Sequence, residues 1–565
     1  MRFSRLALGC AAFAAAACTV TRPSAQRPRY DLVVTNGRIV DGTGAPWFRG
    51  DVAITEDRIA AVGVVGDTGG APTIDATNLI VAPGFIDLLG QSEFNVLVDG
   101  RAASKIMQGV TTEVTGEGSS IAPVNDRLIA EAAPTATHFG VAQDWRTLAD
   151  YFKRLEDRSR TTINVATLVG AGGIRNYVIG KADRPATAAE LEQMRQLVAQ
   201  AMEQGALGLS TSLQYVPDRF ASTDEIVELA KVAARYGGVY FSHQRSEGAR
   251  IFESLDEVFA IAERAGIPAE IWHLKTAYKA NFGKMPEVLR RIEAARARGL
   301  DVTANQYPYT RASNGLDSCI PLWAREGGFE KLVERLRDPS ARERIKKDMN
   351  DANATTWENQ WYGANGGDGV MVSTVLDPGL RKYEGMTLTA IGKAMGKDPR
   401  DAVIDLVIAD KGESSVITAI MDEDDVRAAL KHPLVGVGTD SGAKAVDGRL
   451  SESKSHPRAW GSFPRILGRY VRDERLLTLE DAVRKMTSKA AARVHLADRG
   501  VLRPGLAADI TIFDAATIRD VSTFEDPARY AAGVRHVFVN GRRVVADGAI
   551  TAERPGRPLR GPGAR

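Results

Sequence analysis

The sequence holds 565 residues, with 73 lysines and arginines against 71 aspartates and glutamates and 44% hydrophobic residues. This ordinary globular balance excludes a disordered chain, a collagen-like chain and a polytopic membrane protein. A formal charge of +2 offers no field for nucleic acid, and three cysteines cannot build a disulfide framework.

The first 18 residues predict an export signal. Arg2 and Arg5 precede an unbroken apolar and small-residue run from Leu6 to Ala17. That run is too short to span a bilayer as a helix. Two processing routes fit: a lipoprotein signal with Cys18 as the lipidated residue, or simple cleavage after Ala17. Residues 19–29 then form a tether. The mature chain is expected outside the cytoplasm, in the periplasm or held to the membrane through Cys18.

From Tyr30 the pattern turns to short strands around an Asn36-Gly37 turn, and the segment near Ala508–Val545 repeats it around Asn540-Gly541. Residues 30–83 and 496–553 are therefore expected to form one small β-sandwich domain from the two chain ends. Between them, strand-like runs alternate with amphipathic helices. The strands are expected at 79–87, 111–116, 164–170, 206–212, 239–242, 269–272, 301–306 and 434–438. Helices are expected at 188–204, 223–235, 254–265 and 285–297. Eight strands with helical crossovers predict a (β/α)8 TIM barrel over 84–495. The stretch 310–415 is far too long for one crossover and carries Trp323, Trp357 and Trp361. It is read as an inserted lid over the barrel mouth.

Barrel active sites gather at the C-terminal ends of strands. Two of the seven histidines fall there, in Ser242-His243-Gln244-Arg245 and Trp272-His273-Leu274-Lys275. In an extended chain, positions i and i+2 point the same way, so each strand would send an imidazole and a cation to one side. The last strand ends in Gly438-Thr439-Asp440-Ser441-Gly442. Two histidines and an aspartate from three strand ends suit zinc ligation or acid–base work.

These residues sit within a longer series: Leu32–Gly44 with its Asn-Gly turn, Ala82-Pro-Gly-Phe-Ile-Asp87, Gly205–Thr211 with Tyr215 and Pro217, Tyr307-Pro-Tyr309, His456-Pro-Arg458 and Gly505–Asp509. In this order they resemble the amidohydrolase superfamily, in its N-acyl-D-amino-acid deacylase (D-aminoacylase) branch. The resemblance runs from about Tyr30 to Gly548. It implies zinc-dependent hydrolysis of an amide bond in a small substrate that carries a carboxylate. By motif, His243 and His273 match zinc ligands and Asp440 the catalytic carboxylate. Arg245, Lys275 and Arg458 are the candidate carboxylate clamps, and Tyr215 the candidate oxyanion donor.

Two departures stand out. Leu89 and Gln91 occupy the places of the family's His-x-His pair, and Gly118 that of its ligand cysteine. Glu117 is the expected replacement ligand, with Glu113 as the alternative. Loss of the histidine pair predicts one zinc per chain. Two other readings stay open: a metal-dependent hydrolase of small peptides or cyclic amides, and a metal-free binding protein on the same fold.

Overall fold

The computed structural model describes residues 30–354 and 356–565. The export signal, Cys18 and the tether therefore lie outside the described residues. Among the described residues, no helix is long and apolar enough to cross a membrane.

Eight parallel strands form the barrel. In chain order they are Phe85–Asp87, Val110–Thr115, the broken strand Asn164–Thr167 with Val169–Gly170, Gly208–Ser212, Val239–His243, Ala269–Ile271, Val302–Gln306 and Val435–Val437. The ring closes where the Leu88 N–H donates to the Val437 carbonyl at 3.3 Å and Gly90 pairs with Ser441. Ile86, Leu88, Val114, Ala166, Leu207, Phe241 and Trp272 belong to one apolar cluster of the barrel. A larger cluster joins other barrel positions to the helices. Helix Thr223–Arg235 shows the pattern. Ser222 caps it by accepting the Glu225 N–H, and Ile226, Val227, Leu229, Ala230 and Ala233 face inward. The next helix begins at Ile251, three residues before its sequence pattern suggests, and stops where Gly266 takes the left-handed region.

The run 79–87 serves two sheets. Ile80–Pro83 pairs with Ile510–Phe513 of the terminal sheet, whereas Phe85–Asp87 enters the barrel. Gly84 makes the switch, since a Cβ there would lie 2.2 Å from Thr111 Oγ1.

The sandwich expected from the chain ends is one continuous nine-stranded sheet. Leu32–Ile39 changes neighbour at a bulge between Val34 and Gly37, pairing with Thr73–Asp75 before it and with Ile80–Pro83 after it. The sheet thereby curls over a core that unites Val34, Val52, Ile59, Ile510 and Phe538. The Ile59 N–H reaches the Leu506 carbonyl at 2.9 Å across the gap. The last residues pack against the barrel base, where Leu559 and Gly561 donate to Val165 and Gly205.

The insertion between the seventh and eighth strands holds a three-stranded antiparallel sheet, Arg311–Gly315, Ser415–Ala419 and Val370–Thr374, with short helices around it. Residues 312–315, Gln360, Ser373, Thr374 and Ser415 reach the cavity at the barrel mouth.

Candidate metal centre

The second barrel strand stops at Gly116. Gly116 and Gly118 both have positive φ, 93° and 62°, and a Cβ on Gly116 would stand 2.3 Å from the Leu168 carbonyl oxygen. This tight turn presents Glu117 to the barrel axis. Its Oε1 lies 2.9 Å from His243 Nδ1 and 3.2 Å from His273 Nε2. The two imidazoles meet edge to face, with centroids 4.4 Å apart. One donor atom from each of the three residues falls within 4.8 Å of the others. Donors around one tetrahedral zinc are about 3.3 Å apart, from bonds of about 2.0–2.1 Å. The three residues fit such an ion in chemistry and in spacing.

Each histidine is held from behind. His243 Nε2 lies 3.1 Å from Gln214 Oε1, which leaves Nδ1 free to ligate. His273 Nδ1 lies 2.7 Å from Lys275 Nζ and 2.9 Å from Glu247 Oε1, both on the side away from Nε2. The same Glu247 oxygen takes Lys275 Nζ at 2.6 Å. Such outer partners fix ring orientation and tautomer at metal sites. Glu247 is absent from the sequence reading. Its only signal there is its place four residues beyond His243, on a loop whose course spacing does not give.

Charge follows from this packing. Burial pushes the Glu117 carboxyl up, but hydrogen bonds from His243 and His273 and their charge hold it well below the usual range. Burial and the Lys275 ammonium pull His273 down, yet Glu247, Asp440 and Glu117 together raise it to about 9. Glu247 is lowered, because the charges of Lys275 and both histidines outweigh its burial.

Asp440 follows the last strand with φ 52°, a left-handed backbone uncommon for a non-glycine residue. Its N–H donates to the Leu89 carbonyl at 2.8 Å. Its Oδ2 pairs with Arg458 Nη1 at 2.7 Å, and its Oδ1 accepts from Gln91 Nε2 at 3.0 Å. Gln91 Nε2 also donates to Glu117 Oε2 at 2.8 Å. One amide thus bridges the two carboxylates. Burial raises the pKa of Asp440 despite the opposing charge of Arg458.

Tyr215 stands over His243 with ring centroids 4.9 Å apart, and its hydroxyl accepts from Asn314 Nδ2 at 3.4 Å. Arg458 stacks 4.7 Å over Tyr307, and its buried Nε has no hydrogen-bond partner. Glu117, Tyr215, His243, His273, Lys275, Asp440 and Arg458 all line one cavity of about 470 Å³.

Two sequence expectations need correction. Arg245 does not follow His243 to that cavity. Its guanidinium grips Glu257 of the adjacent helix at 2.8 and 2.9 Å and donates to the carbonyls of Arg219 and Ala221. The chain leaves the extended form after His243, so the i and i+2 side chains diverge. Glu113, the alternative ligand, is fully buried and tied to Lys105 and the Ser92 N–H.

Known proteins share this fold. The amidohydrolase family model matches residues 72–545. A D-aminoacylase of Alcaligenes xylosoxydans xylosoxydans is 35% identical over 94% of this chain and 97% of its own length. Two solved structures each cover 94% of this chain and all of their own. One is a D-aminoacylase studied for the role of its binuclear metal centre, with one-metal activation and second-metal attenuation, at 34% identity and TM-score 0.77. The other is the N-acyl-D-glutamate deacylase of Bordetella bronchiseptica with zinc and a phosphonate mimic of the tetrahedral intermediate, at 33% identity and TM-score 0.78.

Proposed function

The chain belongs to the amidohydrolase family, and on that premise we propose that it is a zinc-dependent hydrolase that removes the acyl group from N-acyl-D-amino acids. The observation that carries this reading is the convergence of Glu117, His243 and His273 on one point of a cavity that also holds Asp440.

Glu117 Oε1, His243 Nδ1 and His273 Nε2 would hold the zinc. Bound there, zinc supplies a Lewis acid for the scissile carbonyl and acidifies water. Asp440 would accept the proton of the attacking water and deliver it to the leaving amine nitrogen. Its burial-raised pKa suits that work. Arg458 and Lys275 would bind the substrate carboxylate. A carboxylate arriving at Arg458 competes with Asp440 for the guanidinium. Tyr215 is neutral at pH 7, since burial raises its hydroxyl, and would donate to the oxyanion. The segment 310–415 would cover the mouth during turnover.

Gln91 supports a reading of one zinc per chain. Its amide nitrogen lies within hydrogen-bond distance of Glu117 and Asp440 together, and an amide NH2 donates where a second cation needs lone pairs. The leader of residues 1–18 would export the protein, with Cys18 as an anchor if lipidated.

Elemental analysis after dialysis, run beside a panel of N-acyl-D- and N-acyl-L-amino acids, tests both parts. The expected result is one zinc per chain, cleavage of the D series only, and loss of metal and activity together in His243→Ala. Two firm equivalents of zinc would remove the single-site assignment. A zinc-loaded protein that cleaves no member of the panel would remove the deacylase assignment.

A further inference from the structure

Three lysine or arginine side chains reach the cavity wall: Lys275, Arg458 and Lys444. Two are matched by carboxylates, Lys275 by Glu247 at 2.6 Å and Arg458 by Asp440 at 2.7 Å. The Lys444 ammonium has no hydrogen-bond or ion-pair partner among the described residues.

Its backbone, in contrast, is pinned. The Lys444 N–H donates to Ser104 Oγ at 2.9 Å, and its carbonyl accepts the Ser104 N–H at 2.9 Å. The Ala443 N–H donates to Ser92 Oγ at 2.7 Å, and the Ala443 carbonyl accepts from Asn95 Nδ2 at 2.9 Å. Ala443 and Ala445 on either side are fully buried. Lys444 itself is half-buried, and its backbone is held in place by these bonds. Burial lowers its pKa, with no carboxylate acting the other way. A partly buried cation without a counterion is stabilised when an anion arrives to pair with it. The charges on the wall are thus set for an incoming group. Arg458 and Lys275 serve one carboxylate of the substrate, and Lys444 remains.

We propose that Lys444 is an anion subsite that recognises a second, side-chain carboxylate, so that the preferred substrates are N-acyl-D-amino acids with acidic side chains. The substrate assignment rests on the deacylase reading above; the anion subsite does not. Lys444 is a specificity residue here, away from the bond that breaks.

The test separates the two. Glutarate and glutaramate have nearly one shape and differ by one negative charge, and neither is hydrolysed by water attack at an N-acyl group. Isothermal titration of the zinc-loaded protein should show glutarate bound at least about tenfold more tightly, the scale of a charge-assisted hydrogen bond. Lys444→Met keeps the length of the side chain and should bring that ratio to within about threefold of unity. Lys444→Arg should keep the preference for the dianion. In turnover, the ratio of kcat/KM for N-acetyl-D-glutamate over N-acetyl-D-glutamine should fall in Lys444→Met by a similar factor. Equal binding of the two probes by the wild-type protein would overturn the subsite, as would a preference that survives in a folded Lys444→Met protein. If the Lys444-dependent preference for glutarate stands but no N-acyl-D-amino acid is cleaved, the subsite is supported and the deacylase reading fails.

Discussion

Glu113 and Glu117 leave the same strand four residues apart and meet opposite surroundings. Glu113 sits in a fully buried cluster beneath the cavity. Lys105 Nζ lies 2.8 Å from Asp87 and 3.4 Å from Glu113, and Thr439 donates its N–H and hydroxyl to Asp87 at 2.8 and 2.6 Å. Glu117 is one turn further on, where the glycine-flanked loop opens onto the cavity with His243, His273 and Gln91. The adjacent pair Thr439 and Asp440 divides in the same way, Thr439 toward the buried cluster and Asp440 toward the cavity. The lower cluster supplies its own counterion and holds the first, second and last strands together. The upper one gathers lone pairs at a single point and leaves them facing a concave space. Buried charge alone does not mark function; the arrangement of its partners does.

That contrast can be broken at either level. The largest effect is expected above. Asp440→Asn keeps the size of the side chain but removes the base, so kcat should fall about 10²- to 10⁴-fold while zinc remains at the wild-type level. Zinc lost together with activity would instead make Asp440 a ligand. Below, Lys105→Met leaves Asp87 and Glu113 buried without a cation. Unfolding in denaturant should show a loss on the order of 3–5 kcal/mol, and a loss under about 1 kcal/mol would mean that the lower cluster does not depend on its cation.

The smallest and most selective effect is a change of slope with pH. Burial raises the Glu113 carboxyl from 4.5 to about 7. A carboxyl with a raised folded pKa binds its proton more tightly in the folded state. Its contribution to stability is therefore complete below pH 4.5 and is lost as pH rises through about 7, by up to about 3 kcal/mol. Glu113→Gln should flatten that decline between pH 4.5 and 7 and leave the zinc content unchanged. An unaltered slope would place the titration elsewhere, and lost zinc would return Glu113 to the ligand set.

The sequence by itself determined the barrel, because hydrophobic period and strand spacing are local properties of the chain. It also placed His243, His273 and Asp440 at strand ends, since a residue at the end of a barrel strand has one direction in which to emerge. Tertiary structure alone decided what happens after the strands stop. Arg245 and Lys275 follow their histidines at the same spacing, yet one is taken by Glu257 of a neighbouring helix and the other stays in the cavity beside Glu247. His273 and Asp440 adopt positive φ, 34° and 52°, held by Asn305 of the seventh strand and by Leu89 in the loop after the first. Gln91 reaches both Glu117, 26 residues on, and Asp440, 349 residues on. The reach of a side chain beyond a strand end depends on which distant partner satisfies it, and no local pattern encodes that partner.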